Sequence, residues 1–299
     1  MEQTYYKITN KVECHNNYQY VDGLNVLDRA FEPNGSCVEG GLYFTTAKYI
    51  FKFLDYGCHL REITLPTDCQ WVKDPQGDKF RADKIILGKR YDLSDPSTFQ
   101  LLMEKGAYIH VDNDYAVRWA SKNGYLDLVK WLMKKGADIN ANYNDALKLA
   151  SINGHLEVVQ YLVENGANIH ANNDCCALEV ASQKGHFEVV KYLVEKGAGN
   201  DVGYGSALMR ASSFGSLEIV KYLVEKGADI QGGYDYPLTR ASENGHLEVV
   251  KYLVKAGANI HAWNDYALKL ASENGQWKIV EYLTTQNKIE KSSDKKLKI

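Results

Sequence analysis

Eight histidines and six cysteines are the side chains best equipped for metal or nucleophilic chemistry in this 299-residue chain, and their spacing decides which chemistry is open to them. Cys14-His15 and Cys58-His59 could together supply a two-cysteine, two-histidine zinc set, but neither pair has the internal spacing of a zinc knuckle. Cys175-Cys176 has no C-x-x-C partner and reads as free thiols. The remaining histidines recur as Gly154-His155, Gly185-His186 and Gly245-His246, and as His110, His170 and His261. They are spread at regular intervals, whereas a zinc ion needs about four ligands converging within bond length. Structural hydrogen bonding is the expected role, with no metal and no cofactor.

The strongest catalytic lead is the stretch at residues 40–57, GGLYFTTAKYIFKFLDYG. It resembles the strand-helix segment of ADP-ribosyltransferases, G-x-Y-F-x-x-x-x-x-x-A-x-Y. That resemblance implies a histidine before the segment and a glutamate late in the fold. No glutamate follows Glu62 within residues 1–93, and Asp83 is the nearest acid to that role. The alternative is a strand-helix unit in which Tyr43, Phe44, Ile50, Phe51 and Leu54 form the core of a small domain. A site must be complete to carry a function, so no catalytic residue is assigned and the chain is read as a non-enzyme. P-loop, nucleophile-elbow and dinucleotide-binding fingerprints are absent from the sequence.

The elements around these residues are set by a repeat. Residues 144–166 read NDALKLASINGHLEVVQYLVENG, and the phrase returns at 236–257 and 265–283. Gly-Ala pairs begin at Gly106, Gly136, Gly166, Gly197, Gly227 and Gly257, at intervals of 30, 30, 31, 30 and 30 residues. A fixed period of this size signals stacked supersecondary units. Within a unit, Ala146, Leu147, Leu149 and Ala150 keep helical spacing, and Gly154 ends that helix. A second helix follows at 156–164, with Leu156, Val159, Leu162 and Val163 on one face. Gly166 suits the left-handed cap beyond its end. Helices this short need neighbours to persist. Small residues (Ala146, Ala150 and Ser151, again Ala267, Ala271 and Ser272) allow close approach.

These motifs resemble the ankyrin repeat over about two thirds of the chain: Gly154–Val159 and Gly245–Val250 match its G-H-L-E-V-V stretch, Gly136–Ala141 its G-A-D-I-N-A, and Pro237-Leu238 its Pro-Leu. The unit is shortened between Ala141 and Ala146, and the histidine after Pro-Leu is replaced by Lys148, Glu179, Met209, Thr239 and Lys269. The resemblance implies a mainly α fold, an ankyrin-type α-solenoid with stubby fingers, whose concave face binds a protein. On that face it places the two residues before each mid-unit glycine. These are Lys122-Asn123, Ile152-Asn153, Gln183-Lys184, Ser213-Phe214, Glu243-Asn244 and Glu273-Asn274. Ile152 and Phe214 are apolar where their counterparts are polar, and the loops carry Tyr143, Tyr204, Tyr234 and Trp263. Aromatics of this kind bury large area at low entropic cost. The expected protein-binding residues are Lys122, Ile152, Gln183, Lys184, Ser213, Phe214, Glu243, Tyr143, Tyr204, Tyr234 and Trp263.

Residues 1–93 do not repeat and read as a small α+β domain. Strands are expected at 4–9, 41–44, 60–65 and 82–87, and a helix from Thr45 or Thr46 to about Tyr56. The stretch also resembles the domain preceding 30-residue ankyrin arrays in giant amoeba-infecting viruses, on Tyr6–Asn10, Gly40–Phe44, Asp55–Gly57, Arg61–Pro66 and Lys79–Leu87. Residues 94–287 form the array: a half-unit helix at 96–104 capped by Ser94 or Asp95, then six helix pairs, the third with an extra residue near Cys175-Cys176. Residues 288–299 read as a basic disordered tail in which Lys295-Lys296-Leu297-Lys298 offers a weak nuclear signal.

Net charge is −3, so nothing advertises nucleic acid, and no apolar run is long enough for a membrane helix. The opening MEQTYYKITN lacks the features of a signal peptide. Irregularly spaced cysteines fit reduced thiols and an intracellular setting, the host cytoplasm. The reading is a monomeric, non-catalytic interaction module that holds a host or viral protein. The competing readings are an enzymatic first domain targeted by the array, and an adaptor for a ubiquitin ligase, for which no F-box is recognisable.

Overall fold

The computed structural model describes residues 4–15, 17–35, 38–170, 177–199 and 204–297, without the side chains of 233–235 and 290–297. Cys37, Cys175, Cys176 and the extra residue of the third unit lie outside the described residues. The chain divides into two compact units, Met1–Asn142 and Tyr143–Ile299.

In the first unit the strands are β1 (Tyr5–Thr9), β2 (Cys14–His15), β3 (Tyr18–Gln19), β4 (Gly23–Val26), β5 (Leu42–Thr46), β6 (His59–Thr64), β7 (Trp71–Lys73), β8 (Phe80–Ala82) and β9 (Lys84–Asp92). Seven of them form one antiparallel sheet in the order β4-β9-β6-β1-β5-β8-β7, and β2-β3 is a separate ribbon. β1 is central, and both of its faces are buried. That is why YYKIT lacks the clean alternation of a half-exposed strand. Phe44, Phe80, Ile85 and Leu87 pack into one apolar cluster. Ile50, Phe51 and Leu54 are fully buried on a ten-residue 3-10 helix, Ala47–Tyr56.

Two elements of the sheet domain depart from the sequence reading. The helix expected after Thr46 is present, but as 3-10, and Thr46 at its N-cap makes no side-chain capping bond. The single strand expected at 82–87 is split at Asp83. That residue's amide donates to the Gln70 carbonyl at 3.0 Å, and its carbonyl accepts from the Leu27 amide at 2.7 Å. Its carboxylate accepts from the Gln70 amide at 2.8 Å. The backbone of Asp83 is thus committed to flanking segments and cannot continue a ladder.

The first unit also holds the start of the array: α1 (Pro96–Glu104), α2 (Val111–Lys122) and α3 (Leu126–Lys134). Asp95 caps α1 by accepting from the Ser97 amide at 2.8 Å, and Pro96 sits at its first turn. Phe99 of α1 stacks on Phe51 with ring centroids 4.9 Å apart and planes at 12°. Its centroid also lies 6.4 Å from those of Trp119 and Trp131. The half-unit therefore joins sheet domain to helix pairs through one buried ring.

The second unit stacks α5 (Leu156–Glu164), α6 (Ala177–Lys184), α7 (Phe187–Glu195), α8 (Gly205–Ser213), α9 (Leu217–Glu225), α10 (Gly232–Glu243), α11 (Leu247–Lys255), α12 (Ala262–Glu273) and α13 (Trp277–Leu297), after α4 (Ala141–Ile152), which crosses the boundary. The buried face of α5 is Val158, Val159 and Leu162, and Leu156 and Val163 are only half-buried. The expected face is thus corrected by one position. These short helices are covered from two directions, so adjacent residues Val158 and Val159 are both enclosed. The Gly-Ala pairs close each second helix: Ala167 donates to the Leu162 carbonyl at 3.0 Å and Gly166 to that of Val163 at 3.2 Å. Gly166 takes φ +96°, as a left-handed cap requires. α13 continues to Leu297, which corrects the tail expected to be disordered from residue 288. Neither glycine nor proline interrupts WKIVEYLTTQNKIEKSSDKKL, and most of its residues favour helix.

Candidate functional site

The recurring histidines act as joints between units. His186 Nε2 lies 2.9 Å from the Ile152 carbonyl, and His246 Nε2 lies 2.9 Å from that of Ser213. Gln276 repeats the contact to the Glu243 carbonyl at 3.4 Å. Each side chain follows a mid-unit glycine and reaches back to the end of the preceding unit's first helix, where carbonyls lack intrahelical partners. The structural role expected of these histidines is the one found for His186 and His246. Ser216 occupies the same place in its unit and is too short to span the gap. Ser216→His should add the missing bond to the Gln183 carbonyl and raise the unfolding free energy by about 0.5–1.5 kcal/mol, read from the urea midpoint. A midpoint unchanged by that substitution would deprive the joint of energetic meaning.

The shortened hairpins adopt an uncommon backbone. Asp112-Asn113-Asp114, Asn142-Tyr143-Asn144 and Trp263-Asn264-Asp265 each place three consecutive residues at φ between +50° and +63°. Seven of these nine residues are Asn or Asp, the types that tolerate the left-handed region best. Side chains brace the turns. His110 Nδ1 lies 2.6 Å from the Asp114 carboxylate, and His261 Nδ1 lies 2.6 Å from that of Asp265. Asp114 also accepts from the Asp138 amide at 3.2 Å, as Asn144 does from the Asn168 amide at 3.3 Å. The two residues that break the Asn/Asp rule, Tyr143 and Trp263, are 76% and 61% exposed.

The other expected binding positions are placed as follows. Phe214 is 52% exposed. Lys184 is exposed, and Ile152, Gln183, Ser213, Glu243 and Tyr204 are half-buried. Ser213 Oγ accepts from Asn244 Nδ2 at 3.3 Å, and Glu243 pairs with Arg240 at 2.7 Å. Lys122 is engaged within the first unit, 3.1 Å from the Asp55 carboxylate, to which Tyr115 also donates. The side chain of Tyr234 lies outside those described.

A second candidate lies in the first unit. β1 and β5 pair only at Tyr5↔Thr46 and Tyr6↔Thr45, while β1 stays paired to β6 through Thr9↔His59. Past Tyr6 the strands β1 and β5 part and leave a cavity of about 150 Å³. Lys7, His15, Tyr43, Phe53, Tyr56 and Lys79 are among its walls. Lys7 is 5% exposed. Its ammonium bridges the gap by donating to the Tyr43 carbonyl at 2.8 Å and sits 4.5 Å from the centre of the Tyr20 ring. Burial lowers its pKa to about 7. The folded state therefore holds fewer protons than the unfolded chain between that value and 10.5, and stability rises with pH through this window. Burial, then the Lys7 charge, lowers the His15 pKa as well. Tyr43, expected in the core, instead lines the cavity, whereas Phe44, Ile50, Phe51 and Leu54 are buried as expected. Glu62, the last glutamate of residues 1–93, is not among the walls and accepts from Tyr91 Oη at 2.6 Å. Among the described residues no group of three or more His, Cys, Asp or Glu is gathered as a metal site would need, so the two Cys-His pairs are not assembled into one.

The profile of the ankyrin repeats matches residues 91–173, 170–234 and 208–295, well over half of the chain. The chain belongs to the ankyrin repeat family. As in that family, the array is a protein–protein interaction module. An ankyrin repeat protein of Acanthamoeba polyphaga mimivirus is 47% identical over 131 residues, covering 42% of this chain and 64% of that relative. A second from the same virus is 47% identical over 129 residues, covering 41% of this chain and 42% of its own length. The ankyrin chain thus spans between about two fifths and two thirds of these relatives. A third mimivirus protein, described as uncharacterized, is 43% identical over 129 residues and is covered over 94% of its length. Among solved structures, the ankyrin repeat domain of human ASB11 superposes with a TM-score of 0.52 at 25% identity, covering 56% of this chain and 82% of that one. No helix among the described residues is long and apolar enough to cross a membrane.

Sequence reasoning missed two features of this ankyrin protein. The left-handed triplets were signalled only by the density of Asn and Asp in the loops. Lys7 gave no signal, because a lone lysine in YYKIT reads as the polar face of a strand.

Proposed function

We propose that this ankyrin protein holds a protein partner through the second unit, with Tyr143 and Trp263 as anchors beside Ile152, Gln183, Lys184, Ser213, Phe214 and Glu243. Tyr204 and Tyr234 belong to the same set of loops. The sheet domain serves as a cap on the array, and the protein acts as a monomer inside the host cell, without catalysing a reaction. The observation that carries this reading is the backbone under Tyr143 and Trp263. A large aromatic at left-handed φ costs on the order of 1–2 kcal/mol. Both side chains are largely exposed, at 76% and 61%, so burial offsets little of that cost. Strain kept at exposed aromatic positions fits a surface maintained for contact.

The test is a paired substitution in the full-length chain, Tyr143→Asn with Trp263→Asn. Asn suits the local backbone, so the thermal midpoint should rise, by the equivalent of about 1 kcal/mol per site. In parallel, tagged wild-type and variant proteins are used to capture partners from Acanthamoeba lysate, quantified by mass spectrometry. Proteins retained by the wild type should be depleted at least tenfold on the variant. Equal capture by a stabilised variant would remove these aromatics from the binding surface.

A further inference from the structure

The parting of β1 from β5 creates a second site, independent of the array's partner. Three observations meet there. The cavity of about 150 Å³ is one-ring sized, since an apolar void of that volume accommodates benzene. Its walls include five aromatic rings, Tyr6, Tyr43, Phe44, Phe53 and Tyr56. His15 and Tyr56 already sit with ring centroids 5.1 Å apart, the spacing of an aromatic pair. Finally, a buried ammonium is set into the wall. Among the described residues Lys7 has a carbonyl and a ring face as partners and no carboxylate within ion-pair distance. A buried cation without a counter-charge is costly unless an anion joins it.

We propose that the cleft between β1 and β5 binds a small one-ring aromatic carboxylate, its ring among Tyr43, Phe53 and Tyr56 and its carboxylate paired with the Lys7 ammonium. A monoanion matches Lys7, the buried charged side chain among the walls, and a flat ring matches the aromatic part of the lining. Backbone supports the same geometry. The Tyr43 carbonyl holds the ammonium at 2.8 Å, so the charge is fixed in place before the ligand arrives. The other titratable and charged groups at the site are His15, which burial and Lys7 keep towards its neutral form, the phenols of Tyr6, Tyr20, Tyr43 and Tyr56, the side chains of Glu39 and Lys79, Arg61 opposite Lys7 on β6, which is paired with Glu13 and Asp22, and Arg81, which donates to Tyr43 Oη at 3.4 Å. Glu39 is paired with Arg29 at 3.3 Å and is 89% exposed, so it does not neutralise Lys7.

The experiment is calorimetric titration of the full-length protein with benzoate, benzamide and acetate. Benzoate should bind at least tenfold more tightly than either control, because benzamide lacks the charge and acetate lacks the ring. Lys7 loses its proton with a pKa of about 7 in the free protein, so benzoate affinity should be flat below that pH. Above it, affinity should fall towards tenfold per pH unit, with nearly one proton taken up per benzoate bound at pH 8.5. Lys7→Met should abolish the proton uptake and weaken benzoate at least tenfold while leaving benzamide unchanged. Equal affinity for benzoate and benzamide in the wild type, or benzoate binding without proton uptake at pH 8.5, would overturn the proposal. Those two readings need no variant, so they decide the matter even if Lys7→Met fails to fold.

Discussion

Phe99→Ala should cost this protein about 3–5 kcal/mol of stability, the range for removing a fully buried aromatic. The ring is 0% exposed and carries the join between sheet and helices, stacked on Phe51 at 4.9 Å and flanked by Trp119 and Trp131. A hole there cannot close easily, because the surrounding rings belong to different elements and each is fixed by its own packing. Loss should therefore appear in the sheet and in the first helix pair together, as a coincident fall in far-ultraviolet and tryptophan-fluorescence midpoints in urea. Phe214→Ala is the control. Phe214 is 52% exposed, and its removal should shift stability by no more than about 0.5 kcal/mol. If both variants unfolded at the wild-type midpoint, the sheet domain and the helix pairs would not share this core.

Gly154→Ala and Gly185→Ala should differ, although both glycines sit at the same place in their units. Gly154 is at φ +74° and Gly185 at φ +79°, so a side chain strains either one by about 1–2 kcal/mol. Only Gly154 faces a ring: an added Cβ would lie 2.5 Å from Nδ1 of His186. That ring cannot swing away without releasing the Ile152 carbonyl. At Gly185 the nearest atom is the Ser216 hydroxyl at 3.4 Å, an ordinary contact. Overpacking should add about 1–3 kcal/mol to Gly154→Ala and nothing to Gly185→Ala. In chemical denaturation, His186→Ser placed on top of Gly154→Ala should recover most of that extra loss. Additive losses in the double variant would mean that ring and glycine do not compete for the same space.

The repeat made most of the array legible in advance. Gly-Ala pairs at near-constant intervals placed six helix pairs, and Asp95-Pro96 placed the start of α1. The parts that failed share a physical cause. One-sided amphipathicity predicts Leu156, Val159, Leu162 and Val163 as the face of α5, but the helix is covered from two directions and buries the neighbours Val158 and Val159. The strand at 82–87 reads as continuous because nothing in its residues shows that the Asp83 backbone is bonded to Leu27 and Gln70. The cavity is invisible for a related reason. It exists because β1 and β5 stop pairing after Tyr6, and strand registers are properties of pairs, not of one segment. The loop aromatics stand out in the sequence, but their strain does not, since Tyr143 and Trp263 share a left-handed φ with the Asn and Asp residues beside them and nothing in an aromatic side chain announces it.

The joint at His186 and His246 bears on how such a chain can change length. At His186, His246 and Gln276 a unit carries a donor after its glycine that reaches a carbonyl before the glycine of the preceding unit, so such a unit brings one half of a bond for each neighbour. A copying error that inserts or deletes one whole unit leaves every donor facing a carbonyl, and no compensating change is needed elsewhere. An error of any other length displaces the ring from the glycine notch that receives it. The unit carrying Ser216 lacks a side chain long enough for the bond, while the units on either side of it make theirs. Growth and loss by whole units are thus favoured by the chemistry of the seam itself.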